Sequence, residues 1–412
     1  MIMFWEKYKV TCAPEPGFMS KKEFTKYLFK TRRNKLVSMY ESVPVSITNE
    51  DVNNALILGG GGSGISYFIE DKLMSPENNK KNAPSYIVFG QNVKRFEKLY
   101  ESLKRSGYKI YNYRYWEGDE PVENNLTYNP FDWFTDNESI YEFVSTITQN
   151  YLHTDDKEMI NICENLLISV MLYVNTSKRR TLTEVNRLLK NIKEYKKLTE
   201  GNERSEIYKR LQVYLSSGVA KTECLSLLKE AFNFSIYSVA KPKMLLKGKF
   251  DINILESKSV IFIDGGWMFR EWLSSEIMTS FINSINSKEQ PLKRHVKILY
   301  EVPQPGPIKN FESIAARART HNFSIDIIMN NLESYIKADK INLESLLCSC
   351  KTFMYMGTKN EDDLMFSEDI INALSQNSKV TKEWLNNMLY DQCIVSVKNQ
   401  KPMLVNKDYV IA

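Results

Sequence analysis

The chain has 412 residues, 43% of them hydrophobic and 25% charged, with Lys+Arg 55 against Asp+Glu 50 and a formal net charge of +5. This is ordinary globular usage, which excludes disordered, collagen-like and fibrous chains. At roughly 150 residues per domain the length predicts two or three domains. A charge of +5 is not that of a polycation, so contact with nucleic acid has to come from a local patch. Six cysteines do not make a disulfide framework; Cys163, Cys224 and Cys393 sit in apolar stretches and read as reduced core residues of a cytosolic protein. Cys348 and Cys350 form a C-x-C pair with no second Cys/His pair at zinc-site spacing. The longest apolar run, Leu166 to Val174, is interrupted by Ser169 and is shorter than the ~20 residues that cross a bilayer. No signal peptide is visible at the N-terminus, and a soluble chain is expected.

In chain order, residues 1–50 form a lead-in segment with a basic cluster, Lys21, Lys22, Lys26, Lys30, Arg32, Arg33 and Lys35. Strands are predicted at Ala55–Leu58, Tyr86–Phe89 and Lys109–Tyr113. Between the last two, Phe96, Leu99, Tyr100 and Leu103 share one helix face. The Asn/Lys/Pro-rich stretch Ser75–Pro84 reads as a solvated loop. After Tyr128-Asn129-Pro130-Phe131 the pattern turns helical from about Ser139 to Phe234, as with Ile162, Leu166, Val170 and Tyr173. Strands return at Val260–Ile263, Val296–Val302, Phe323–Met329, Thr352–Met356 and Cys393–Val397, and Met403-Leu404-Val405 closes a last hairpin at the sheet edge. Alternating strands and helices predict an α/β fold with a mainly parallel sheet. An all-α domain is inserted over 137–240, dividing the nucleotide-binding-type domain into 51–136 and 241–412.

The stretch Ala55 to Ser66 reads as a buried strand, a glycine loop and a helix start, the context a phosphate-binding loop requires. Gly59, Gly62, Ser63 and Gly64 allow backbone N–H groups to form an anion nest at a helix N-terminus. Ser66 stands where a Mg²⁺-holding hydroxyl belongs, whereas Ile65 stands where a lysine would meet the β/γ-phosphates. One charge-assisted hydrogen bond, typically ~1.5–3 kcal/mol, is thereby lost. A strand-to-helix turn without a ligand is the alternative reading of this loop.

Residues 178–210 hold a surplus of Lys and Arg, including Arg179, Arg180, Lys196 and Lys197, inside the helical insert. Such a face attracts phosphate backbones without reading sequence; the alternative is a solvated helix face.

The order of motifs resembles the cytoplasmic part of TraG/TraD-type coupling proteins of conjugation and type IV secretion, over roughly residues 19–410. Met19-Ser20-Lys21-Lys22-Glu23-Phe24 resembles the family's helix before the first strand, and Tyr128-Asn129-Pro130-Phe131 its YNPF. Asn161–Val174 resembles the first helices of its all-α domain, and Arg319 to Asn331 its RSRNIS…ILQS segment. Cys350–Gly357 and Cys393–Tyr409 resemble its closing motifs. The resemblance implies a RecA-like P-loop NTPase fold, a hexameric ring, ATP with Mg²⁺ as cofactor, and transfer of DNA and relaxase. It also implies that Arg319 is a finger acting on a neighbouring subunit and that Asn330 stands at the γ-phosphate sensor.

The departures point the other way. Phe89 to Lys94 lacks the Asp, Lys and Glu of the family's TDPKGE. Ile298 to Gly306 matches LLDEFANIG with Tyr300 in the metal-holding Asp position, leaving only Glu301. Asp264 ends another apolar strand and is a weaker candidate metal ligand beside Ser66; the alternative is an acid capping a turn. Phosphoryl transfer needs a held metal, neutralised charge and an oriented water, and two of these parts are missing here. The expectation is a non-hydrolysing coupling-protein-like component that binds DNA, relaxase or a complete coupling protein. The alternatives are an active motor with an unusual site, and a relic of a mobile element. A cytoplasmic location is expected, with the inner face of the cell membrane reached through partners.

Overall fold

A computed structural model of the chain describes residues 36–38, 44–46, 54–90, 93–113, 125–126, 129–152, 154–201, 204–218, 221–232, 252–264, 271–286, 288, 290–302, 317–337, 343–374, 379–398 and 401–406. The lead-in cluster Lys21–Lys35 and Tyr128 lie outside them. Chain packing divides the protein into two units: residues 1–112, 252–264 and 282–412 form one, and residues 113–251 and 265–281 the other.

Among the described residues, the main sheet of the first unit contains β1 (Asn54–Leu58), β2 (Ser85–Gly90), β3 (Lys109–Tyr113), β4 (Ser259–Asp264), β5 (Val296–Glu301), β6 (Phe323–Met329), β7 (Cys350–Tyr355), β8 (Gln392–Val397) and β9 (Met403–Asn406), and Leu36–Ser38 pairs with Pro44–Ser46 apart from it. Their spatial order is β9-β8-β7-β1-β6-β5-β2-β4-β3. From β7 to β4 every ladder is parallel, and β8 and β9 add an antiparallel hairpin at the edge. The central strands are buried along almost their whole length, as continuous apolar runs must be in a parallel sheet covered on both faces. Helix α1 (Ile65–Met74) follows β1 and lays Phe68, Ile69 and Leu73 on the face carrying Ile57, Val88, Phe262 and Leu299. The face shared by Phe96, Leu99, Tyr100 and Leu103 is split in the structure. A 3₁₀ stretch, Val93–Leu99, runs into the short helix α2 (Tyr100–Arg105). The tighter turn accompanies Phe96 and Tyr100 both stacking on Phe262, at 6.0 and 5.2 Å between centroids.

At the floor of this core, Asp326 of β6 is 2% exposed and lies 3.3 Å from Lys297 and 3.9 Å from Lys72. Two buried ammonium groups thus face one carboxylate. Burial, with Lys297 beside it, holds the Lys72 amine well below its ordinary value.

The second unit is helical: α3 (Asn137–Tyr151), α4 (Lys157–Thr176), α5 (Leu182–Lys190), α6 (Ile192–Thr199), α7 (Glu206–Ser216) and α8 (Lys221–Phe232). Side chains mark the starts. Asp136 forms a capping box with Ser139, Asp156 accepts from Glu158 and Met159, Thr181 from Glu184, and Ser205 from Tyr208. Helix α4 has the length and apolarity to cross a membrane, but 67% of that window is buried within the protein. Its polar groups point at neighbouring helices. Ser169 bonds the Ile207 carbonyl at 2.6 Å and the Tyr195 hydroxyl at 2.7 Å, and Asn165 accepts from Arg210 at 2.9 Å. Cys163 and Cys224 are free, buried neighbours, with the Cys163 thiol 3.7 Å from the Cys224 carbonyl.

Candidate phosphate loop and its neighbours

The glycine loop joins β1 to α1 at the C-terminal edge of the sheet. Neighbouring strand ends hold it there: Gly59 N–H donates to the Met329 carbonyl at 3.0 Å and Gly60 N–H to the Gly357 carbonyl at 2.9 Å. Ser63 N–H returns to Gly60 at 3.0 Å. Gly62 and Gly64 have φ of 80° and 99°, a left-handed backbone that side chains disfavour. A Cβ at Gly59 would clash with the Ser63 hydroxyl, whereas nothing lies within 4 Å of one at Gly61 or Gly62. The loop therefore presents an open backbone concavity at a helix start, where first-turn amides such as those of Ile65 and Ser66 lack intrahelical acceptors. Sequence reasoning missed one neighbour: the exposed Tyr390 donates its hydroxyl to the Gly62 carbonyl from a loop before β8. Nothing local in the sequence marks Tyr390, because the contact joins positions 328 residues apart.

Side chains tell a different story. Ile65 leans onto the core cluster. Tyr300 is 0% exposed and packs its ring 5.2 Å from Phe89, on the face opposite Leu299. It is therefore part of the sheet's packing. Glu301 ends β5, two strands from β1, but its carboxylate extends the other way. Its Oε2 lies 2.9 Å from Arg95 Nη2, and a Cβ on Gly90 would come within 2.5 Å of it. Gly90 and Arg95 belong to β2 and the turn after it, on the side of β5 away from the glycine loop. The surviving acid is thus folded over a glycine onto a guanidinium. In the sequence Gly90 stands out only as the residue in place of the acid of TDPKGE, and Arg95 does not stand out; that Gly90 lets the carboxylate pass is seen only in the structure.

Asn330 follows β6 directly beside the glycine loop and is exposed. Close to it Asp363, fully buried, accepts from the Leu332 and Glu333 amides at 2.9 and 2.8 Å, and burial pushes its carboxyl up. Asp264 ends β4, four strands from β1, about 19 Å at ~4.8 Å per strand. Asp264 and Ser66 are therefore not brought together around one ion. Arg319 lies in the turn Ala318–His321 before β6, at the opposite end of a strand about 20 Å long, so it does not meet its own chain's loop. The side chains of Asp264 and Arg319 lie outside the described residues. Among the described residues no group of three or more His, Cys, Asp or Glu is arranged to hold a metal. The loop backbone fits a phosphate-sized anion. The side chains do not fit a Mg²⁺-nucleotide poised for hydrolysis, since no cation stands at 65, no acid at 300, and Glu301 is turned away.

In the helical unit, Arg179, Arg180, Lys196 and Lys197 are all exposed. Lys193, Lys196 and Lys197 share one face of α6, with Tyr195 buried beneath. Arg180 differs from the others. Its guanidinium donates to the Phe131 carbonyl at 2.5 Å and to Asn175 Oδ1 at 2.9 Å, and its own carbonyl accepts from Asn129 at 2.8 Å. The Asn129-Pro130-Phe131 motif and Arg180 thus tie two loops together. Arg187 is likewise committed to Glu184 and Glu194, both at 2.8 Å.

No family model and no curated protein matches the sequence. Solved structures match over nearly the whole chain. The bacterial conjugative coupling protein TrwBdeltaN70, in a trigonal form with sulphate, superposes with a TM-score of 0.66 at 12% identity, covering 97% of this chain and 96% of that one. The plasmid coupling protein TrwB with the GTP analogue GDPNP gives 0.64 at 12% identity, covering 97% and 96%. The same protein with ADP and Mg²⁺ gives 0.64 at 12%, covering 97% of each chain. The chain therefore has the α/β P-loop NTPase fold seen in a conjugative coupling protein.

Proposed function

We propose that this protein is a coupling-protein-like component of conjugative DNA transfer or type IV secretion that does not hydrolyse nucleotide. It acts by binding the transferred DNA, its relaxase or a complete coupling protein, in a homo- or hetero-hexameric ring. The observation that carries this reading is the ion pair of Glu301 with Arg95 over Gly90. It comes together with Ile65 packed against the core and Tyr300 buried within the sheet. Phosphoryl transfer works by positioning metal, charge and water, and here no cation stands at 65, no acid at 300, and Glu301 is engaged by Arg95. ATP can still seat its phosphates on the loop backbone. The exposed Arg179, Lys196 and Lys197 supply the DNA-binding charge, and Arg319 acts across the ring on a competent neighbour.

The test is a purified-protein assay of ATP hydrolysis with single-stranded DNA, alone and mixed with a complete coupling protein. Alone, hydrolysis stays at the buffer level; turnover near ~1 s⁻¹, the low end for phosphoryl-transfer enzymes, would sink the reading. In the mixture Arg319→Ala lowers the rate of the active subunits while Arg317→Ala does not. Equal effects, or no association, refute the ring role.

A further inference from the structure

The edge of the sheet opposite the glycine loop carries a second cationic surface. Four strands that lie side by side, β5, β2, β4 and β3, begin there. Arg294 precedes β5, Lys80 and Lys81 precede β2, Lys258 precedes β4, and Arg105 and Lys109 flank the turn into β3. These loops are knitted together. Ser85 N–H bonds the His295 carbonyl and Lys109 N–H the Lys258 carbonyl, both at 2.9 Å. Three strand spacings of ~4.8 Å make this row about 14 Å long, enough to meet more than one successive phosphate of a nucleic-acid strand.

Two of the cations are fixed in place by backbone oxygens. Lys258 donates to the Lys80 carbonyl at 3.3 Å and to the Ser106 carbonyl, and lies 4.6 Å over the Tyr108 ring. Arg294 donates to the Lys81 carbonyl at 3.1 Å and to the Ala83 carbonyl. Carbonyls satisfy the N–H groups without cancelling the charge. Around these two, Lys81, Arg105, Lys109 and Lys293 are exposed. Of the acids near these loops whose side chains are described, Glu256 is paired with Lys288 and Glu101 with Lys104, both at 3.0 Å.

Resting on the DNA-binding reading above, we propose that this rim of the first unit binds the phosphate backbone of a nucleic-acid strand, in addition to the basic helices of the second unit. Pinned cations lose little side-chain entropy when a phosphate arrives. A membrane-binding surface would add apolar residues for insertion. The exposed large apolar side chains described are Tyr67, Met74, Leu198, Met365, Leu389 and Tyr390, and of these only Met74, ending α1, is near the rim.

The experiment uses the whole chain and a fluorescent thymidine oligonucleotide, with anisotropy followed across a potassium chloride series. The triple variant Lys81→Gln, Lys109→Gln, Lys293→Gln removes exposed charges only and keeps the wild-type melting temperature. It should weaken binding at least about tenfold at low salt and reduce the slope of log affinity against log salt by about 2, from ~0.7 per phosphate contact. Lys196→Gln with Lys197→Gln is the comparison in the helical unit. A loss confined to that pair overturns the rim while leaving the helical reading intact. With oligonucleotide bound, Lys81, Lys109 and Lys293 should resist amine acetylation as read by mass spectrometry; unprotected lysines overturn the proposal. So does a triple variant that releases phosphatidylglycerol vesicles yet keeps oligonucleotide affinity, which would make the rim a lipid surface. A wild-type chain that binds no oligonucleotide at low salt overturns it as well.

Discussion

Placing an acid at position 300 by Tyr300→Asp should unfold this protein. Tyr300 is 0% exposed and is held in register between Phe89 of β2 and Ile327 of β6. Its ring packs on Phe89 at 5.2 Å. Replacing it by a short carboxylate loses the burial of a ring and leaves a cavity, about 3–5 kcal/mol by comparison with large aromatic-to-alanine changes. A buried carboxylate without a partner adds to that cost. At ~2–4 °C per kcal/mol for a unit of this size, the melting temperature should fall by about 6–20 °C. Tyr300→Phe keeps the ring and should cost no more than about 1.5 kcal/mol. Ile65→Lys should be milder than Tyr300→Asp, because Ile65 is only partly buried and a lysine stem can lie on the same apolar surface with its ammonium in water. The assay is thermal unfolding followed by circular dichroism on the three variants. A Tyr300→Asp protein melting within about 2 °C of the wild type would refute the packing role of Tyr300 and make the position replaceable. Its activity could then be compared directly with the Ile65→Lys, Tyr300→Asp double variant.

The remaining predictions concern packing and charge. Gly90→Ala should force Glu301 off Arg95 and destabilise the chain by about 1–3 kcal/mol, but by much less in a Glu301→Ala background; equal costs in a double-mutant cycle would show that the two sites are uncoupled. Asp326→Asn should cost about 3–5 kcal/mol in urea unfolding by stranding two buried ammonium groups, while Lys72→Met should be neutral or stabilising. Because the Lys72 value is lowered in the folded state, the unfolded chain binds the extra proton as pH falls. Wild-type stability should therefore rise with pH up to about 10.5, and Lys72→Met should remove that rise. His295 is held down to about 4, chiefly by burial, against an ordinary 6.5, so stability should drop as pH falls from 6.5 toward 4; a flat urea midpoint over that range would contradict its burial. Arg180→Ala should destabilise the chain by about 1.5–3 kcal/mol by freeing the Phe131 carbonyl, unlike Lys196→Gln. Equal melting temperatures for the two would refute the tie.

What the amino-acid sequence determined was whatever depends on neighbours along the chain. Continuous apolar runs marked the buried strands, as at Ala55–Leu58 and Phe323–Met329. The 3.6-residue period marked the helices of the second unit, and four glycines before Ser63 marked the turn into α1. That residues 65 and 300 carry no charge is also read directly from the sequence. Tertiary structure decided where the remaining charges go, because contact across a sheet depends on strand order. Glu301 could have faced either β6 or β2; Gly90 leaves room on one side and Arg95 attracts it there. Asp264 ends an apolar strand much as a metal-binding acid would, and only the position of β4, four strands from β1, separates it from Ser66. Arg180 is one basic residue among several in the sequence, but its guanidinium is committed to Phe131 across 49 positions. The row of cations at the far edge comes from loops that the sequence scatters from Lys81 to Arg294 and that parallel pairing alone sets side by side.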